Sequence, residues 1–138
     1  MIYPFLKSNR FIKDIYVLRP LQEEDMEPIR VWRNEQIAIL RQSAHLSKEE
    51  QKRYWKRVLV PSFSSFSPGQ ILFAFLEEGA LIGYGGITHI NWDNKSAEVS
   101  FLINPADARE GGRYRYLFGN YLELIKLLST MWDCSCRL

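Results

Sequence analysis

Ala97-Glu98-Val99-Ser100-Phe101-Leu102-Ile103-Asn104-Pro105-Ala106-Asp107-Ala108-Arg109-Glu110-Gly111-Gly112-Arg113-Tyr114-Arg115 is the stretch on which the fold turns. Ala97 to Ile103 reads as a strand, and Pro105 breaks it. Leu117, Phe118, Tyr121, Leu122, Ile125 and Leu128 then repeat at helical spacing. Between strand and helix lie two adjacent glycines and three arginines. Bare backbone N–H groups, a helix dipole and arginine forks together suit an anion. A glycine turn with solvated arginines fits the same spacing equally well.

Outward from this junction the pattern stays legible. Ile71 to Leu76 is a continuous apolar run, as expected of a strand covered on both faces. Glu77 to Ala80 is a turn, and Leu81 to Ile90 is a second strand whose Gly83, Gly85 and Gly86 point to a bulge or a close approach. With Ala97 to Ile103 these strands form an antiparallel meander. Upstream, Ser47-Lys48-Glu49-Glu50 is a capping box that opens a helix with the stripe Tyr54, Trp55, Val58 and Leu59, which Pro61 should end. Ser62 to Gly69 reads as a loop. Met26, Ile29 and Trp32 mark an earlier helix, with Glu23, Glu24 and Asp25 at its start and Pro28 within its first turn. Ile15 to Leu18 reads as an edge-like first strand, and Met1 to Asp14 as a lead-in without a period. The order is β-α-α-β-β-β-α, an α+β class, with residues 1–138 as one domain and 129–138 as an atypical tail.

Composition narrows the function. Of 138 residues, 46% are hydrophobic and 25% charged, the balance of a globular protein. A net charge of +2, spread along the chain, argues against nucleic acid as a partner. No apolar stretch approaches the ~20 residues of a membrane span, and no secretory signal is recognisable at the start. Cys134 and Cys136 are too close together to staple distant segments and too few for a structural zinc site, so no metal is expected. A reduced, cytoplasmic setting follows.

The ordered series from about Ile15 to Leu128 resembles the GNAT-type N-acetyltransferases, in their branch that acts on ribosomal proteins and amino sugars. Tyr16 to Asp25 is similar to the opening strand and first helix start of that family, and Trp32-Arg33-Asn34 to the tryptophan-plus-asparagine element that follows. Ser47 to Trp55, Leu81 to Ile87 and Ala97 to Ile103 continue the likeness in order. Arg109-Glu110-Gly111-Gly112-Arg113-Tyr114 matches the family's [QR]-x-x-G-x-[GA] loop, except that Tyr114 stands where glycine or alanine is usual, and the following helix reads as starting late, with Gly119 near its beginning.

The resemblance implies a GNAT-like mixed sheet and acetyl-CoA as co-substrate. The backbone of Phe101, Leu102 and Ile103 would hold the pantetheine arm, and Arg109, Gly111, Gly112 and Arg113 the pyrophosphate. Glu98 matches a position where some members carry the carboxylate that accepts the amine proton. Trp32, Arg33, Tyr84 and His89 are the candidates for the side that receives the amine. Each also has a plainer role: Glu98 as a solvent-facing glutamate, His89 as a polar strand cap, Trp32 in helix packing. The family's further strand, fourth helix and final hairpin have no counterpart after Leu128. The expectation is therefore a truncated domain whose exposed sheet edge invites self-association, and which acetylates poorly as an isolated monomer. The rival reading is a noncatalytic, degenerate module that binds a partner protein; an RNA-binding role has little support in the charge pattern.

Overall fold

The structure, a computed structural model, describes residues 2–36 and 44–130. Its centre is a five-stranded sheet in the order β1-β2-β3-β4-β5, with β1 Phe11–Lys13, β2 Tyr16–Pro20, β3 Ile71–Glu77, β4 Ala80–Asn91 and β5 Ser96–Ile103. Every pairing among them is antiparallel, so the mixed sheet implied by the resemblance is antiparallel throughout the described residues. The expected meander is β3-β4-β5. Its first turn is the two-residue hairpin Glu78-Gly79, both at positive φ (50° and 82°), which matches the twist of the flanking strands.

Two expectations about the start of the chain are corrected. The lead-in contains β1, which pairs Phe11 with Leu18 and Lys13 with Tyr16, so β2 is an interior strand rather than an edge. Three residues are too few to show a period, which is why this strand was invisible in the sequence. The lead-in is also held: the fully buried Tyr3 hydroxyl donates to Leu72 O (3.1 Å) and accepts from Leu72 N–H (2.7 Å).

Helix α1 (Met26–Glu35) buries Met26, Ile29 and Trp32, as its spacing requires. Helix α2 (Lys48–Tyr54) opens with the expected capping box: Glu50 N–H donates to Ser47 Oγ at 3.1 Å, and Ser47 N–H to the Glu50 carboxylate at 3.4 Å. Pro61 does not end this segment. A π-helical turn, Trp55–Leu59, leads directly into α3 (Val60–Ser62), with Val60 N–H reaching back to Trp55 O. Trp55 and Leu59 are buried, whereas Val58, expected on the same stripe, is exposed.

After β5, Asn104 caps a short helix α4 (Pro105–Ala108) through Ala106 N–H at 3.1 Å. The long helix α5 (Arg113–Thr130) follows. It begins at Arg113 rather than late, so Gly119 lies inside it, and it continues through Ser129 and Thr130 of the expected tail. The rest of that tail, residues 131–138, lies outside the described residues.

Helix α5 and the pair α1/α2 cover opposite faces of the sheet, because adjacent residues of β4 point to opposite sides. Tyr84 meets Arg33 of α1, while Gly85 faces Tyr121 of α5. A Cβ on Gly85 would lie 2.1 Å from Ser100 O and 2.5 Å from the Tyr121 hydroxyl. Gly86 has φ +148°, and a Cβ there would lie 2.0 Å from Ile71 O. The close approach signalled by these glycines is therefore made by neighbouring backbone and one tyrosine. Gly85→Ala should destabilise the fold by roughly 2–3 kcal/mol, since backbone on the facing strand must move. Gly119→Ala, with nothing within 4 Å of the new methyl, should stabilise it by about 0.5–1 kcal/mol. Urea unfolding of the two variants beside the parent measures both.

Candidate functional site

Helix α5 is long, and its first turn is open. Arg113 N–H bonds back to Glu110 O (3.1 Å) and Tyr116 N–H to Gly112 O (3.1 Å). The N–H groups of Gly111, Gly112, Tyr114 and Arg115 have no such partner among the described residues. Gly112 takes φ +78°, which turns the chain into the helix start. Arg109, Gly111, Gly112 and Arg115 are exposed around this turn. Unpaired N–H groups at the positive end of an 18-residue helix make an anion site from backbone alone. Tyr114 does not fill it: its ring stacks on Phe118 at 6.1 Å and tilts against Phe101 at 5.8 Å.

Arg113, read from the sequence as an anion ligand, is engaged in ion pairs. Its Nη2 donates to Glu77 Oε1 at 2.7 Å and its Nε to Asp107 Oδ1 at 2.8 Å. Tyr16 donates to the other Glu77 oxygen at 2.9 Å. Helix α4, the end of β3 and the start of α5 are thereby tied at one point. Hydrogen bonding to Arg113 holds the Glu77 carboxyl below the usual range, and the same contacts raise the guanidinium.

On the opposite face, α1, α2 and β4 enclose a cleft of about 510 Å³. Its floor is apolar, with Leu21, Ile29 and Leu72 among its residues; its walls carry Arg33, Glu50, Arg53, Tyr54, Arg57, Gln70, Tyr84 and Ser100. Arg33 and Tyr84 meet there, with Arg33 Nη1 donating to the Tyr84 hydroxyl at 3.2 Å. Burial pushes the Tyr84 phenol up, partly offset by Arg33, so it remains a neutral hydroxyl. Gln70 Nε2 donates to the Tyr54 hydroxyl at 2.6 Å. Trp32 lies in the core instead, 8% exposed and away from the cleft walls.

Glu98 and His89 form a separate pair at the rim. Their nearest atoms are 3.8 Å apart, and both side chains are mostly exposed. Glu98 pairs in register with Thr88, which lines the cleft, and shares a sheet face with Ser100 and Leu102. Phe101 is on the other face, its ring 4.3 Å from Tyr121 and 5.3 Å from Phe118. Leu102 and Ile103 are buried, and Ile103 O accepts from Gln36 Nε2 at 3.3 Å.

Sequence reasoning missed the α2 wall of the cleft. Glu50, Arg53, Tyr54 and Arg57 recur at i, i+3, i+4 and i+7, which is one helical face, but Tyr54 was assigned to the apolar stripe. Tyr121 was read only as one position of the helical repeat; its hydroxyl donates to Ser100 O, and burial pushes it far up, keeping it a donor. The Glu77–Arg113 pair yields a prediction with a sign. A carboxyl whose folded value is depressed stabilises the fold above its unfolded value, about 4.3, and loses that contribution as pH falls through the folded value. Glu77→Gln should therefore cost about 1–2 kcal/mol at pH 7, discounted for partial exposure, and much less at pH 3. Denaturant titrations at the two pH values check this.

Comparison with known proteins supplies the family. The spermidine N-acetyltransferase from Vibrio cholerae, solved with coenzyme A and spermine, superposes with a TM-score of 0.66 at 19% identity, over 86% of this chain and 68% of that one. The Salmonella typhimurium acetyltransferase that modifies the N-terminal serine of the 50S subunit protein L7/L12 gives 0.60 at 13% identity, over 87% and 68%. At these identities the likeness is one of fold. No curated protein sequence gives a significant match. A sequence profile of the acetyltransferase (GNAT) domain, however, matches residues 18–129, and the chain belongs to that family of acetyltransferases.

Proposed function

We propose that the chain is an acetyl-CoA-dependent N-acetyltransferase of the cytoplasm, a single acyltransferase-like domain acting on a primary amine of a protein N-terminus, an amino sugar or a small metabolite. The observation that carries this reading is the glycine turn Gly111-Gly112 feeding an open α5 start, on the far side of the sheet from a polar cleft. A pyrophosphate suits the first and an amine-bearing molecule the second. Strand β5, last in the sheet among the described residues, separates them and turns every second N–H and C=O away from β4.

Acetyl-CoA, when bound, supplies an acetyl group activated as a thioester; transfer makes a C–N bond, breaks the C–S bond and leaves the free thiol. The chain's residues serve the remaining needs. The unpaired N–H groups of Gly111, Gly112, Tyr114 and Arg115 would take the pyrophosphate, with Arg109 and Arg115 adding charge at the rim. The open β5 backbone at Phe101 to Ile103 would take the pantetheine amides. Glu98, with His89 beside it, would accept the proton that the amine must lose. Arg33 and Tyr84 would orient the amine-bearing molecule. Trp32, buried in the core, would support α1 beneath them.

A second reading has one observation in its favour. Among the described residues β5 is an edge strand, and Val99 is 36% exposed on it, so a noncatalytic module binding a partner protein, or a second copy, along that edge is the alternative.

Calorimetry with coenzyme A separates the two. Coenzyme A should bind at least about tenfold tighter than pantetheine, which lacks the pyrophosphate, because charge-assisted bonds to backbone N–H supply the difference. Equal affinity, or no heat from either, would favour the partner-binding module. Turnover of acetyl-CoA by the purified chain is the direct measure of catalysis. In that assay Glu98→Gln should lower kcat/KM about 100-fold at pH 7 and flatten the acid limb of the pH profile. An unchanged profile would remove Glu98 from the mechanism.

A further inference from the structure

The cleft between α1, α2 and β4 is electrostatically one-sided. Among the described residues its walls hold three arginines, Arg33, Arg53 and Arg57, against one carboxylate, Glu50. Glu50 is already engaged at the helix cap, accepting from Ser47 N–H at 3.4 Å. Elsewhere the fold pairs its well-packed arginines with carboxylates: Arg19 with Asp25 at 2.7 Å, Arg30 with Glu27 at 2.6 Å, Arg113 with Glu77 at 2.7 Å. Arg53 and Arg57 have no ion pair among the described residues. They stand four residues apart on the α2 wall, so both heads can reach one anion. A bare ammonium chain, such as a polyamine, would meet net positive charge on entering.

We propose that the molecule acetylated by this chain carries an anionic group, a carboxylate or a phosphate, beside its amine, and that Arg53 and Arg57 receive that group. This rests on the transferase reading for the identity of the reacting amine, but the binding preference can be measured without catalysis. The apolar floor sets the reach of such a molecule: one end meets arginine at the α2 wall, the other lies toward Tyr84 and Ser100 on the sheet. A space of about 510 Å³ suits a small molecule or the first residues of a peptide.

Calorimetry without acetyl-CoA tests the proposal on matched probes: glucosamine 6-phosphate against glucosamine, and the dipeptide Gly-Asp against glycinamide, with spermidine alongside. At low salt at least one anionic probe should bind about tenfold tighter than its neutral partner, and spermidine should bind worst. The phosphate and carboxylate arms distinguish the two sources of the anion. The preference should shrink at 0.5 M salt, roughly, where screening reaches within a few ångström. Arg53→Gln with Arg57→Gln, both exposed and outside the fold's ion pairs, should abolish it while coenzyme A binding persists. The proposal is overturned if neither anionic probe binds, if the neutral partners or spermidine bind as tightly, if the double variant keeps the preference, or if coenzyme A displaces the anionic probe. Turnover is read separately: an anionic probe that binds in the cleft but is not acetylated counts against the transferase reading and leaves the binding preference standing.

Discussion

A tyrosine hydroxyl set against a strand with no side chain in its way joins the two sides of this fold. Tyr121 donates to Ser100 O from the α5 face, in the space that Gly85 leaves empty. Its ring is packed by Phe75 and Phe101 at 5.6 and 4.3 Å. A buried hydroxyl bond of this kind contributes about 1 kcal/mol, and each aromatic contact roughly another 0.5–1.5. The larger effect is geometric. Tyr121 lies two turns into α5, about 12 Å from its first residue at 1.5 Å per residue. Fixing that point and the Arg113 end together fixes the direction in which the open N-terminus faces. The strand whose carbonyl Tyr121 grips is β5, so the open helix start and the open strand edge are positioned by the same contact.

How much of this could be read from the sequence depends on the range of the interaction. The capping box at Ser47, the β3-β4-β5 meander and the turn at Glu78-Gly79 rest on neighbours within a few residues, and local pattern found them. The glycines of β4 announced a close approach, but only the fold identifies what approaches, because Tyr121 comes from a helix 35 or so residues on. Strand β1 escaped notice since its three residues pair with β2 through backbone, which leaves no composition signal. Arg113 shows the opposite difficulty. It stands in the right loop for an anion ligand, yet Glu77, distant in sequence, claims its guanidinium at 2.7 Å. Arginine in a glycine-rich turn is thus ambiguous until the carboxylates of the surrounding fold are placed.

That ambiguity bears on how charge is divided between the two faces. At the α5 start Arg113 is committed to Glu77 and Asp107, so the fixed positive potential comes from backbone dipoles, with the exposed Arg109 and Arg115 at the rim. In the cleft the reverse holds. There the positive field comes from the side chains of Arg33, Arg53 and Arg57. An anion at the first site would be read by fixed geometry, which suits an invariant group such as a pyrophosphate. An anion at the second would be read by long, exposed side chains, which suits a variable one.

The π turn explains how α2 can face both the core and the cleft. In an unbroken α-helix, Val58 would follow Trp55 and Leu59 onto the buried stripe, and Pro61 would clash with the carbonyl four residues before it. Widening the turn, with Val60 N–H bonded to Trp55 O, fits an extra residue into the same length and spreads side chains around the axis. Trp55 and Leu59 keep the core side, Val58 moves out to the cleft wall, and Arg57 joins it there. The helix then absorbs a proline that lacks the N–H an α turn would need. The departure that makes the sequence stripe hard to read is therefore also what turns Val58 away from the core and onto the cleft wall.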